Sequence, residues 1–224
     1  MKIYNFPQHN EDGSPNEDWL KVRAGRITGS DFHQYMVLAK KDELSDTAES
    51  NLYKKVLESL GYSFESYRSS AMEDGNENEP LARADYIAET FNDVHEVGFV
   101  YWEKMRAGCS PDGVVYGLYS VKADRDSIDD GQIDKIIEIK CPEIKNYLKM
   151  AKGKIPPIYM TQMQYNMLIT GAKSCDFIVW HPDMRLSVQE IKADTNYQKD
   201  IITVLEKLNA RYDAILKEIQ EFRK

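Results

Sequence analysis

The sequence predicts an α/β fold in which helices flank a central sheet, and three features of its 224 residues carry that expectation. Three short stretches rich in β-branched and aromatic residues, "HEVGFVYW", "RAGCSPDGVVYG" and "DKIIEIKCP", follow one another between residues 95 and 142 and read as strands. Segments with the helical spacing of apolar residues lie on both sides of them. With 42% hydrophobic and 29% charged residues, the composition suits one sizeable core. No internal repeat is visible, so the chain reads as one domain over 1–224.

In chain order, residues 7–16 form a polar connector. After Trp19, "LKVRAGRITGSDFHQYMVL" gives a short element, a glycine-bearing turn, and a helix capped by Ser30 or Asp31. Residues 45–60, "SDTAESNLYKKVLESL", fit a capped helix that Gly61 ends. In "NENEPLARADYIAETF", Pro80 suits a first turn, and Leu81, Ala84, Ala88 and Phe91 form an apolar stripe. Between the second and third strands, "KADRDSIDDGQ" at 122–132 is a surface loop, with Asp130-Gly131 as a hairpin turn. Beyond Pro156-Pro157, "IYMTQMQYNMLIT" predicts a helix closed by Gly171, and "CDFIVWHPD" and "LSVQEIKAD" two more strands. In the last segment, 195–224, Ile201, Leu205, Leu208, Tyr212, Ile215, Ile219 and Phe222 alternate steps of four and three. That is a long amphipathic helix expected to pack on its own domain.

No apolar run reaches the roughly 18 residues of a spanning helix, and the N-terminal stretch lacks a signal-peptide centre, so a cytoplasmic location with no membrane partner is expected. Cys109, Cys141 and Cys175 are isolated and form no C-x-x-C pair, which excludes a thiolate cluster and predicts reduced thiols. With 29 Lys and Arg against 37 Asp and Glu, the formal charge is −8. This excludes a broadly basic DNA coat, yet permits a focused cleft or a metal site that itself needs carboxylates.

The chemistry concentrates in "IIEIKCP". Successive strand residues face opposite ways, so Glu138 and Lys140 share one face while Ile137 and Ile139 take the other. If the strand that follows "SPDG" is the antiparallel neighbour of "IIEIK", Asp112 comes within a few ångströms of Glu138. Two such carboxylates are the usual protein contribution to a magnesium site. Lys140, one step along, would position or help deprotonate a water and offset the negative charge. Alone, an E-x-K is commonly a solvated charge pair and PDG an ordinary turn. In succession they point to phosphodiester hydrolysis, whereas Glu79 on the preceding helix reads alone as a first-turn acid favoured by the helix dipole, and Gln162 on the following one as a surface amide.

"SPDG" followed by "EIKCP" resembles the signature of the PD-(D/E)XK nuclease superfamily, whose fold is a central mixed β-sheet flanked by helices. "WLKVRAGRITGSDFHQ", "GNENEPLARADY", "AGCSPDG", "EIKCP" and "YMTQMQYNMLIT" occur in the order seen in lambda-type phage exonucleases, covering roughly 19–185. The resemblance implies that Asp112, Glu138, the Ile139 backbone carbonyl and Glu79, directly or through water, hold two Mg2+ ions, with Mn2+ a substitute. It implies that Lys140 is the catalytic lysine and Gln162 lies beside it, and that Arg23, Ser30 and Ser110 bind a terminal 5′-phosphate. A guanidinium fork and hydroxyls suit that task.

It further implies 5′ to 3′ digestion of linear duplex DNA to mononucleotides, a homotrimer ring, a single-strand annealing partner, and a phage or prophage origin. An endonuclease of the same fold and an inactive recombination scaffold are the alternatives. The acidic tip "DRDSIDD" is expected outside any DNA channel.

Overall fold

The computed structural model describes residues 1–10, 13–64, 70–117 and 133–223. In order the elements are β1 (Lys2–Tyr4), α1 (Glu17–Arg23), β2 (Ile27–Thr28), α2 (Gly29–Phe32) running into a 3₁₀ segment His33–Ala39, α3 (Asp46–Ser59) and α4 (Ser70–Thr90). There follow β3 (Val94–His95), β4 (Phe99–Trp102), a 3₁₀ turn Glu103–Met105, β5 (Ala107–Cys109), β6 (Gly113–Tyr116) and β7 (Ile133–Lys140). The chain closes with α5 (Ile144–Met150), α6 (Pro157–Thr170), β8 (Ser174–Val179), β9 (Ser187–Lys192) and α7 (Thr195–Phe222).

The expected mixed sheet is present, with strand order β3-β6-β7-β8-β9 and a parallel β7–β8 pair among antiparallel neighbours. A second, four-stranded sheet, β1-β4-β5-β2, was not anticipated. It arises because two of the predicted strands are each divided between the sheets. "HEVGFVYW" breaks before Gly98, whose N–H donates to the Tyr4 carbonyl at 2.9 Å and where a Cβ would lie 2.2 Å from the Phe6 carbonyl oxygen. "RAGCSPDGVVYG" breaks at Ser110-Pro111-Asp112, because proline has no N–H for a ladder. Asp112 is thereby left on the connection where the chain passes from one sheet to the other.

The faces of β7 are separated as alternation requires. Ile137 and Ile139 pack with Ala82 and Tyr86 of α4 and with Ile178 and Trp180, whereas Ile136 joins the main core with Met163 and Tyr165 of α6. Each isoleucine removed fully from water contributes on the order of 2 kcal/mol. The α7 stripe also packs inward, with Ile201, Leu205, Leu208, Tyr212 and Ile215 buried in that main core. Ser45 caps α3 by accepting from Ala48 N, Gly61 follows it at φ +90°, and Gly171 closes α6 at φ +73°.

Three local expectations are corrected. Neither Ser30 nor Asp31 caps a helix: α2 begins at Gly29 behind Thr28, with no side-chain cap, and is one turn long before it tightens into 3₁₀. Pro80 lies inside α4, not in its first turn, so the helix forgoes one backbone bond there. The stripe Leu81, Ala84, Ala88 and Phe91 faces outward; Ala82 and Tyr86 are buried instead, on the face that carries Glu79 and Arg83. Polar residues that bond to the sheet fix the inner face of α4 more strongly than the weak apolar pattern does. The 122–132 loop and the Asp130-Gly131 turn lie outside the described residues.

Candidate active site

β7 aligns antiparallel with β6 through Gly113↔Ile137, so the residue before β6 lies beside the residues that extend β7 past that pair. The Asp112 carboxylate accepts from the Ile139 N–H at 2.6 Å. A strand residue directs its N–H and C=O to the same edge, so the Ile139 carbonyl opens toward Asp112 as well. The expected meeting of the PDG aspartate with the EIK strand is therefore met.

On the opposite face, Glu138 is fully buried and Lys140 Nζ donates to its Oε1 at 2.5 Å. Asn166 Nδ2 on α6 donates to the other oxygen at 3.3 Å. Tyr159, two turns earlier on α6, holds its ring 5.0 Å from Lys140 Nζ. Gln162 shares that helical face by its spacing from Tyr159 and Asn166, and is half-buried. Glu79 arrives from α4, where Arg83 grips it at 2.5 Å, donates to the Asp112 carbonyl at 3.0 Å and pairs with Glu96 at 3.0 Å. Two long-range bonds pin α4 in place: Tyr86 OH donates to Asp176 at 2.6 Å, and Trp180 Nε1 to Asp85 at 2.6 Å.

These carboxylates are crowded and dry. Burial, then the Asp112 charge, push the Glu79 carboxyl up to about 8, against the pull of Arg83 and Lys140. Burial also raises Asp112, although Lys140 and the Ile139 N–H oppose it. Glu138 is raised by burial and by Asp112 despite its contact with Lys140. For Lys140, burial disfavours the charge, but Glu138 and Asp112 together outweigh it and hold the ammonium above the ordinary lysine range. The lysine's ionised state is the firmer of the pair, because it faces two carboxylates while Glu138 faces one cation and a second acid.

Among the described residues no three histidine, cysteine or acidic side chains form a complete metal cluster. Magnesium does not need one: two carboxylates, a backbone carbonyl and water suffice. Asp112, Glu138 and the Ile139 carbonyl fit that donor set, and its uncompensated negative charge is what a cation would relieve.

A second constellation lies on the other sheet. The Arg23 guanidinium stacks on the Trp19 ring at 4.3 Å, and Trp19 Nε1 bonds Ser110 Oγ at 3.0 Å and the Gly98 carbonyl at 3.1 Å. Burial draws the Arg23 pKa down against the pull of Asp31 and Glu58, and among the described residues Arg23 has no ion pair. Ser30 is exposed and meets Thr28 Oγ1 at 3.3 Å. Trp19 thus joins Arg23 to Ser110, while Ser30 is tied to them only through its neighbour Asp31.

Sequence reasoning missed Arg83, Asn166, Tyr159 and Trp19. Arg83 lies four residues after Glu79, and Trp19 four before Arg23, the helical spacing that marks a pair. Asn166 had a weaker signal, an amide four residues from Gln162 on a helix that also carries Thr161, Gln164 and Thr170.

No curated protein sequence matches the chain. Among solved structures, the alkaline exonuclease LHK-Exo of Laribacter hongkongensis superposes with a TM-score of 0.75 at 27% identity, covering 93% of this chain and 98% of that one. The same enzyme in complex with dAMP gives 0.76 at the same identity and coverage. A phage-related exonuclease from Haemophilus somnus 129PT shares the fold, with a TM-score of 0.62 at 17% identity over 87% of this chain and 96% of that one. The architecture is that of the PD-(D/E)XK nucleases. A family model for the YqaJ-like viral recombinase domain matches residues 18–173, and with well over half of its length covered the chain belongs to that family.

Proposed function

We propose that this protein is a magnesium-dependent exonuclease that degrades one strand of linear duplex DNA from its 5′ end to mononucleotides, leaving 3′ single strand for recombination by annealing. The observation that carries the reading is the meeting of Asp112, Glu138, the Ile139 carbonyl and Lys140 at the end of β7. Family membership and the likeness to an exonuclease crystallised with a mononucleotide support it.

Bound at these donors, magnesium, as one or two ions, would supply polarisation of the scissile phosphate and of the attacking water. Mn2+ offers similar oxygen affinity. The rest falls to the chain. Lys140, an ammonium, donates to the attacking water or a phosphate oxygen and steadies the charge that develops there. Without a cation on Glu138 and Asp112, those carboxylates hold it as an ammonium, the form that orients a water. Asn166 fixes the rotamer of Glu138, and Arg83 that of Glu79. Gln162, on the same helical face, is positioned to contact the substrate. The water oxygen forms the new bond to phosphorus, the bond to the 3′-oxygen breaks, and that oxygen leaves with a proton, releasing a 5′-mononucleotide.

Arg23 and Ser110, with Ser30 nearby, would hold the terminal 5′-phosphate. Its charge would relieve a half-buried guanidinium that has no ion pair among the described residues, and would fix which strand enters. In a homotrimer ring, topology retains the DNA and the net charge of −8 ceases to be an obstacle. The outward apolar residues Leu81 and Ile87 of α4, with Phe91 just past its end, are surface such a ring could cover. A single-strand annealing protein would take over the 3′ strand, in a phage-infected or prophage-bearing cytoplasm.

The test is nucleotide release from a linear duplex and from a closed circle of the same sequence, with magnesium and with chelator. Release from the linear form alone, abolished by chelator, is expected. Cutting of the circle points to an endonuclease, and no cutting with magnesium or manganese points to an inactive scaffold.

A further inference from the structure

We propose that a cavity beyond the end of β7 binds backbone phosphate of the duplex, through Lys149 and Lys154, as a DNA-holding subsite separate from the carboxylates and from the Arg23 pocket. This rests on the nuclease reading above. The cavity measures about 290 Å³ and is lined by Pro142, Asn146, Lys149, Met150, Lys154, Pro156 and Tyr159. It stands directly beside the chemistry. Pro142 is two residues past Lys140, and the ring of Tyr159 that forms one wall is the ring that Lys140 Nζ overlies at 5.0 Å.

Charge identifies the ligand class. From Cys141 to Pro157 the chain carries Lys145, Lys149, Lys152 and Lys154 against the single acid Glu143, in a protein whose net charge is −8. All four lysines are exposed, and among the described residues none of them forms an ion pair. Elsewhere Lys21, Lys55, Lys135, Lys173, Lys207 and Lys217 each meet an acid within 4.0 Å, and among the described lysines without such a pair only this stretch gathers four within ten residues. Lys149 also suits the carboxyl end of α5, but that does not account for the others.

The backbone brings two of them to one opening. Gly153, at φ +82°, turns the chain back so that Lys154 N donates to the Lys149 carbonyl at 3.1 Å, and both residues line the cavity. Two ammonium groups, the Asn146 amide and an aromatic wall suit a phosphodiester with a base or sugar laid on Tyr159. Among the described residues no acidic side chain lines the space.

The test uses a blunt duplex of about 20 base pairs with 5′-hydroxyl ends, so that the Arg23 pocket has no terminal phosphate to hold. Binding is followed by fluorescence anisotropy in chelator from 50 to 200 mM salt, for wild type, the double variant Lys149→Gln/Lys154→Gln, and a control, Lys199→Gln/Lys217→Gln, on α7. Glutamine keeps most of the stem at exposed positions, and melting curves check the fold. Two lost phosphate contacts should lower the slope of log K against log salt by about 2 and weaken binding about tenfold at 100 mM salt, with the control unchanged. An unchanged slope and affinity in the double variant, or an equal loss in the control, would overturn the subsite. Magnesium-dependent nucleotide release by wild type is measured alongside. A lost slope without release keeps the subsite and sinks the nuclease; release with an unchanged slope does the reverse.

Discussion

The end of β7 and the end of α1 present opposite imbalances of charge. At β7, Glu79, Asp112 and Glu138 share one dry neighbourhood and all three carboxyls are pushed up by burial. At the last residue of α1, Arg23 is a cation without an ion-pair partner among the described residues, and burial draws it down. Neither arrangement is fully compensated: Lys140 and Arg83 answer Glu138 and Glu79 but leave a third acid, and Arg23 has the Trp19 ring in place of an acid, so both cost free energy. On the proposed reading each would receive a ligand of the opposite sign: a divalent cation at one, a phosphate at the other. The difference teaches how an acidic chain, if it acts on DNA as proposed, would meet it at discrete points rather than through a basic surface.

The carboxylate side breaks most completely. Lys140→Ala should lower nucleotide release by about 1,000-fold or more while leaving the melting temperature near that of wild type. Unchanged turnover would remove Lys140 from the reaction. Next in size is Asn166→Ala, which frees one oxygen of Glu138 and should cost about 10- to 100-fold in activity, with more magnesium needed for half-maximal rate. A fall in rate with no change in magnesium requirement would place Asn166 outside the cation site.

On the arginine side, Arg23→Ala should weaken use of 5′-phosphorylated ends by about 2 kcal/mol, roughly 30-fold, and leave 5′-hydroxyl ends nearly untouched. Equal loss on both ends would contradict the pocket. The last effect is one of stability rather than of rate. A carboxyl whose folded pKa is raised holds a proton that the unfolded chain has lost, so its contribution is present at low pH and disappears as pH rises. For Glu79 the window runs from 4.5 to about 8. Metal-free protein should therefore melt lower at pH 8.5 than at pH 6. Magnesium at about 100 times its Kd should restore about 3 kcal/mol at the higher pH and much less at the lower one, where protons compete. Equal stabilisation at both pH values would show that these carboxyls do not hold the ion.

Much of this was legible beforehand because strand alternation is rigid. Glu138 and Lys140 had to share a face, and the antiparallel β6–β7 pair had to bring Asp112 near them. The helices α3, α6 and α7 announced themselves through Ser45, Pro157, Gly171 and the α7 stripe. What stayed hidden depends on contacts distant in sequence. The inner face of α4 is chosen by Tyr86 reaching Asp176 and by Asp85 reaching Trp180, so the apolar stripe gave the wrong side. The second sheet exists because Gly98 and Pro111 interrupt runs that local propensity reads as continuous. Arg83 and Asn166 are visible only once Glu79 and Glu138 have been given partners in space.

One duplex, labelled separately at each end and bearing a 5′-phosphate on a single strand, tests the pairing of the two charged sites most directly. With magnesium, the account predicts stepwise loss of mononucleotides from the phosphorylated strand, starting at its 5′ end, with the other strand intact. Equal degradation of both strands, or loss beginning at a 3′ end, would contradict it.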